Sequence, residues 1–247
     1  MRDDLRLRIV ATRIHTNCGS TFPDLTQFAS WCERALDYGD HVLIATDDLL
    51  FQSIREMCAH LERVQALHVS PWRGFAMPLN AIVAEAVNLK GDTLLMQSYE
   101  IFVSPLSVET MHTYLSSDTL VVGARLTPDH GGDPGIKPID GLTTPWNTLA
   151  LWDLDKLYYT GFLDVSSTLP DGIPGGMEEV PTISLLQHQF PETTHAKIVT
   201  LSEVEWNVSW NDEQRSLHHD QKMLTKRERA ELQLKHLSVP RGVVTVF

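Results

Sequence analysis

Cysteine is scarce. Cys18, Cys32 and Cys58 are the only three in 247 residues, and no two stand in a C-x-x-C pair. An odd, unpaired set excludes a disulfide framework or a thiolate zinc cluster and points to a reducing, cytoplasmic setting. No apolar run reaches the roughly 18 residues that a membrane helix needs. Met1 to Asp4 carries charge where a secretory signal has its apolar core. Basic residues are also few, 20 against 32 acidic ones, for a net charge of −12. Such a surface repels phosphate backbones, which argues against general nucleic-acid or membrane-surface binding and leaves room for one local basic pocket. Between Arg13 and Gly19 the only glycine is Gly19. Neither G-x-G-x-x-G nor a P-loop follows the first strand, and G-x-S-x-G is absent, so dinucleotide, P-loop and serine-hydrolase chemistry lose their usual signatures.

What is present is ordinary globular composition, 43% hydrophobic and 21% charged. The length suits one large domain. Alternating or apolar runs predict strands at Leu5 to Thr12, His41 to Thr46, Val64 to Val69, Thr93 to Gln97 and Leu120 to Ala124. Helical spacing predicts helices at Asp24 to Tyr38, Leu49 to Leu61 (capped by Asp47 or Asp48), Leu79 to Val87, Ser107 to Leu115 and Met177 to His188, the last starting near Pro181. Strands separated by helices imply right-handed crossovers and a mostly parallel sheet, with ligands at the carboxyl ends of the strands. The Gly/Pro-rich stretch Thr127 to Gly141 reads as a long loop, a candidate lid. Pro145 to Phe162 is helical or mixed. A charged helix is expected from Thr225 to Leu237. The division is a main domain over 1–215 and a helical tail over 216–247 packed on it.

Four patches carry chemistry. Pro78-Leu79-Asn80 opens an alanine-rich helix that ends in Gly91-Asp92. The apolar strand Leu94 to Gln97 runs into Ser98-Tyr99-Glu100, with Pro105 further on. Trp146-Asn147-Thr148 leads through Trp152 to Tyr159-Thr160-Gly161-Phe162. Gly175-Gly176-Met177-Glu178-Glu179 opens a helix. Taken singly, each has a plain structural explanation: tight helix packing, a turn, aromatic core, first-turn capping.

Together, over roughly Leu5 to His188, they resemble the glycosyltransferase family 2 pattern of the GT-A fold. The resemblance implies an α/β, Rossmann-like GT-A domain that transfers a sugar from a UDP- or GDP-linked donor to an unknown hydroxyl acceptor. Ser98 and Glu100 fall on the two positions of an Asp-x-Asp signature, where carboxylates hold a divalent Mn2+ or Mg2+ against the diphosphate. One carboxylate is therefore missing. His218 or His219 would complete the metal site. Glu179 falls on the catalytic base position, with Glu178 as its companion. Thr12, Arg13, Asp47, Asp48, Arg73, Asn80, Gln97, Ser98 and Tyr99 would line the donor, Thr12 and Arg13 at its base and ribose and Arg73 at a phosphate, with Arg13 and Arg73 together offsetting the negative field. The competing reading, motivated by Ser98, is a GT-A-like domain without transferase activity that binds a nucleotide or a protein partner. A homo-oligomer is compatible with either.

Overall fold

The computed structural model describes residues 7–16, 23–169, 175–206 and 213–247, and from 213 to 224 it describes the backbone. The first half alternates as expected: β1 (Arg8–Ile14), α1 (Phe28–Ala35), β2 (His41–Thr46), α2 (Phe51–Met57), β3 (Val64–His68), α3 (Ala76–Asn88), β4 (Thr93–Gln97). A short strand β5 (Ile101–Val103) precedes α4 (Pro105–Tyr114) and β6 (Thr119–Ala124). Then come β7 (Gly135–Pro138), β8 (Leu149–Asp153), α5 (Leu154–Leu157), α6 (Glu179–Gln189), β9 (His195–Val199), β10 (Val204–Trp206), α7 (Glu213–Leu237) and β11 (Val243–Val246).

Nine strands form one sheet in the order β3-β2-β1-β4-β8-β6-β9-β11-β7, and β10 pairs with β5 in a separate two-stranded ribbon. Only β8 and β7 run against the rest. The sheet is thus mostly parallel, with helices on both faces. Strand alternation divides the core. Ile9, Ala11, Leu43, Ala45, Leu94 and Met96 pack with Leu79, Ile82, Ala86 and Ile183 from α3 and α6. Val10, Val42, Ile44 and Leu95 pack with Phe28, Trp31, Ile54, Val108 and Met111 from α1, α2 and α4. Each buried Leu or Ile withdrawn from water contributes about 1.5–3 kcal/mol.

Local chemistry sets several boundaries. Ser104 caps α4, its hydroxyl accepting from the Ser107 N–H at 3.1 Å, with Pro105 at the first helical position. Asp47, one of the two expected caps for α2, accepts from the Leu50 N–H at 3.1 Å. A Cβ on Gly91 would come within 2.7 Å of Ile9, so the turn into β4 needs a residue without one.

Three expectations change. Strand one begins and ends later than Leu5 to Thr12, because the parallel pairing with β2 runs from Ile9↔His41 to Ile14↔Thr46; residues 1–6 lie outside the described ones. The stretch Thr127 to Gly141 is not a free lid. Residues 135–138 are a sheet edge paired with β11, and His130 and Ile139 are fully buried. The tail is more than a helix, since β11 enters the main sheet between β9 and β7.

Candidate functional site

The strand order reverses between β1 and β4, β2 and β3 lying to one side and β8 and β6 to the other. Such a switch point opens a crevice at the carboxyl ends of the parallel strands. Arg13, one residue from the end of β1, points to the α3–α6 face. Its Nη1 donates to the Phe75 carbonyl at 3.2 Å and its Nη2 to Glu178 Oε1 at 2.5 Å. The guanidinium also lies 5.5 Å from the centre of the Phe75 ring.

Glu178 and Glu179 enter on a distorted turn, with φ of 114° at Gly176 and 61° at Met177. A side chain at residue 176 would be strained and would meet Arg229 Nη1 at 2.5 Å. Both carboxylates are buried, 3% and 5% exposed. The Thr182 hydroxyl donates to the Glu178 carbonyl at 2.9 Å. Glu179 Oε1 accepts from the backbone N–H of Asn147 at 2.7 Å. Burial first, and the neighbouring Glu178 second, push the Glu179 carboxyl up to about 8, against the pull of the Asn147 N–H and Arg13. The two adjacent carboxyls thus share one buried site, with the Arg13 guanidinium against Glu178.

The neighbouring strand ends carry polar and aromatic groups. Asp47 accepts from the N–H and hydroxyl of Thr16 at 2.7 and 2.6 Å. Burial acts to raise its pKa, but the hydrogen bonds from Thr16 and Leu50 outweigh it and hold the group below the usual carboxylate range. Asp48 is exposed, and bonds from Ser70 (3.0 Å) and His68 (2.7 Å) lower its pKa. The His15 ring sits 4.8 Å from Trp72, and Phe51 stacks on His68 at 4.6 Å. Arg73 is exposed on the loop after β3. At the end of β4, Ser98 donates its N–H to the Thr148 carbonyl at 2.9 Å. Its hydroxyl accepts from the Glu100 N–H at 3.4 Å. Tyr99 packs edge-on against Phe28.

Three of the residues that the resemblance places at the donor are engaged elsewhere. Asn80 donates to the Phe162 carbonyl at 2.9 Å and accepts from the Phe162 N–H at 2.7 Å, which pins α3 to the segment after α5. Gln97 is buried, accepting from the Tyr38 hydroxyl at 2.9 Å and donating to the Ile101 carbonyl at 2.8 Å. Thr12 is buried on the opposite face of β1 from Arg13. His218 and His219 belong to α7, and their side chains lie outside the described residues. Among the described residues no group of three or more His, Cys, Asp or Glu side chains converges to hold a metal ion. The residues at the end of β4 that would hold such an ion are Glu100 and Ser98, whose hydroxyl accepts from the Glu100 N–H. That set suits an ion arriving with phosphate ligands of its own, since Mg2+-type sites use one or two carboxylates plus substrate phosphates.

Several contacts around these carboxylates and strand ends carry no signal in the sequence. Asn147 reaches Glu179 through its backbone, which leaves no side-chain signal. His15, Trp72 and Thr16 are ordinary loop residues in the text of the chain. Arg229 and Gln233 look like surface positions on a charged helix, yet they are 8% and 1% exposed and bond to the carbonyls of Gly175 and Gly176.

No protein-family model matches the sequence, and no curated protein matches it. Solved structures match its fold. The mannosyltransferase PcManGT of Pyrobaculum calidifontis, in complex with GDP-Man and Mn2+, gives a TM-score of 0.57 at 12% identity over 92% of this chain. This chain spans 65% of that protein's length. Glucosyl-3-phosphoglycerate synthase of Mycobacterium tuberculosis, in complex with Mn2+, UDP and glucosyl-3-phosphoglycerate, gives 0.58 at 11% identity, covering 97% of this chain and 88% of the other. The 4-diphosphocytidyl-2C-methyl-D-erythritol synthase of Anaerococcus prevotii gives 0.52 at 13% identity, covering 88% and 96%. The fold is GT-A-like. No helix among the described residues is long and apolar enough to cross a membrane.

Proposed function

We propose that the protein transfers a sugar from a nucleotide-diphosphate donor to a hydroxyl acceptor. The observation that carries this reading is the buried Glu178–Glu179 pair, delivered by the start of α6 and faced by Arg13 at the end of β1. A transferase that leaves the donor phosphates intact needs a base for the acceptor hydroxyl, and this pair supplies a carboxyl whose proton is held near neutral pH. A nucleotidyltransferase, the other activity named among the fold neighbours, would want a glycine-rich loop after β1, and the stretch 13–19 holds one glycine.

In this reading the edge of β1 to β3 receives the nucleoside, with Asp48 accepting from the ribose or base and the His15–Trp72 surface offering a stacking face. Arg13 and Arg73 meet the diphosphate. Glu100 and Ser98 hold Mn2+ or Mg2+ brought with that diphosphate; when bound, the ion neutralises leaving-group charge. Glu179 takes the acceptor proton in an inverting transfer, and Glu178 holds Arg13 in place. The buried thiols Cys32 and Cys58 fit a reducing, cytoplasmic setting.

One observation favours a second reading. Ser98 leaves β4 with a single carboxylate, which suits a domain that binds a nucleotide without turning it over. Thermal shift with UDP- and GDP-sugars, with and without Mn2+, separates the two. Stabilisation by one donor that depends on Mn2+ and on Glu100, together with nucleotide release that Glu179→Gln lowers about 100-fold, supports the transferase. Binding without turnover leaves the second reading standing. No shift with any nucleotide sugar removes both.

A further inference from the structure

The face of α7 turned to the protein is polar where a helix face usually is not. Lys226, Arg229 and Gln233 lie at spacings of three and four, so they share one side of the helix. Lys226 Nζ sits 3.4 Å from the centre of the Trp146 ring, one residue before the backbone N–H that bonds Glu179. Arg229 Nη1 donates to the Gly175 carbonyl at 2.6 Å, and Gln233 Nε2 donates to the Gly176 carbonyl at 2.6 Å. Ala230 and Leu234 fill the same side apolarly. A buried Arg is rare; burial lowers the pKa of Arg229 from its ordinary value, and the Glu178 charge opposes that without cancelling it. Two successive carbonyls of a left-handed turn are thus gripped by two side chains one helical turn apart, directly before both carboxylates.

We propose that Arg229 and Gln233 are positioning residues for the Glu178–Glu179 pair, fixing the Gly175–Gly176 turn that presents both carboxyls at the end of β1. The inference rests on the transferase reading for its functional meaning, and on α7 alone for its geometry. Without the grip, Gly176 relaxes from its φ of 114°, and the carboxyls lose their fixed approach to Arg13 and to the Asn147 N–H. The charged groups that face Glu179 are Glu178 and Arg13, with Arg229 reaching it through Glu178.

The test reads the carboxyl itself. Full-length protein carrying 13C at glutamate Cδ is titrated by NMR as wild type, Arg229→Met, Arg229→Lys, Gln233→Leu and, as a stability control, Leu234→Ala. The assignment comes from loss of one resonance in Glu179→Gln. The wild-type resonance is expected to titrate well above the ordinary carboxylate range. In Gln233→Leu, which removes no charge, its midpoint should fall by about a unit or more as water reaches the loosened turn; in Arg229→Met the loss of a cation opposes that fall, and in Arg229→Lys, which keeps the charge, no such loss opposes it. Leu234→Ala should leave it in place. If Arg229→Met does not fold, Gln233→Leu carries the result. An unmoved midpoint in folded Gln233→Leu, or an equal fall in Leu234→Ala, overturns the proposal. Turnover is measured beside it. Should the wild type release no nucleotide, the transferase reading fails while the titration still decides the positioning role. Where turnover is present, kcat falls about 10–100-fold in Arg229→Met with donor KM little changed.

Discussion

The backbone N–H of Asn147 donates to Oε1 of Glu179 at 2.7 Å, in a place where that carboxyl is 5% exposed. The bond by itself favours the anion. Burial and Glu178 oppose it and prevail. Folding therefore raises the affinity of this group for its proton.

The sign of the stability effect follows by linkage. Between the ordinary carboxylate range and about 8, the folded protein holds a proton that the unfolded chain has lost. The stabilising contribution is complete at acid pH and disappears as pH rises through 8. Glu179→Gln keeps the acceptor oxygen and has no proton to lose. Urea unfolding from pH 5 to pH 9 should show the wild type losing about 1–3 kcal/mol relative to this variant. Parallel curves would contradict the assignment. On the transferase reading the same carboxyl should make wild-type turnover rise with pH toward 8, a slope expected to be absent from the residual rate of Glu179→Gln.

Arg13→Met removes the cation that faces a Glu178 only 3% exposed. The guanidinium is about a quarter exposed, which reduces the cost below that of a fully buried pair. A loss of about 1–3 kcal/mol is expected, of which Glu178→Gln in the same chain returns a part. A double-mutant cycle in urea measures the coupling, and a coupling near zero would separate the two residues.

Asn80 offers a contrast. Both ends of its amide are engaged by the backbone of Phe162. Asn80→Ala should cost about 2 kcal/mol in stability and leave nucleotide-sugar affinity, read by calorimetry, within about twofold. A selective loss of affinity with stability intact would place Asn80 at the donor instead.

Ser98→Asp supplies the second carboxylate at the end of β4, in reach of the same Glu100 N–H that its hydroxyl now accepts from. Mn2+-dependent stabilisation by the donor should strengthen by about tenfold in affinity. No change in metal dependence would locate the ion away from β4.

The parts that show in the sequence are those governed by nearest neighbours. β2 and β4 run from His41 to Thr46 and from Thr93 to Gln97 as their apolar runs predict, because central parallel strands are buried on both faces. Pro181 falls in the first turn of α6, as proline's missing donor requires. Pairing that spans long separations does not show. Gly135–Pro138 reads as loop because its partner among the described residues, β11, lies roughly a hundred residues further on. β5 and β10, three residues each, are too short for any period. In the site, the carboxylates and Arg13 stand out by residue type and strand-end position. The Asn147 contact uses backbone, and the roles of Arg229 and Gln233 depend on which side of α7 is covered, so no local pattern reveals them.

The place of β11 has a consequence for synthesis. Among the described residues β7 pairs with β11 alone, and β9 has β11 along its outer side. Roughly a hundred residues separate β7 from that partner, so at ~5–20 residues per second a nascent chain waits about 5–20 seconds with this edge open. The half of the sheet built from β1 to β4 can assemble early, around contacts made within its own hundred residues. The other half closes only when β11 leaves the ribosome, and Lys137, on the waiting strand, puts a charge of the kind that discourages a neighbouring chain from docking there first.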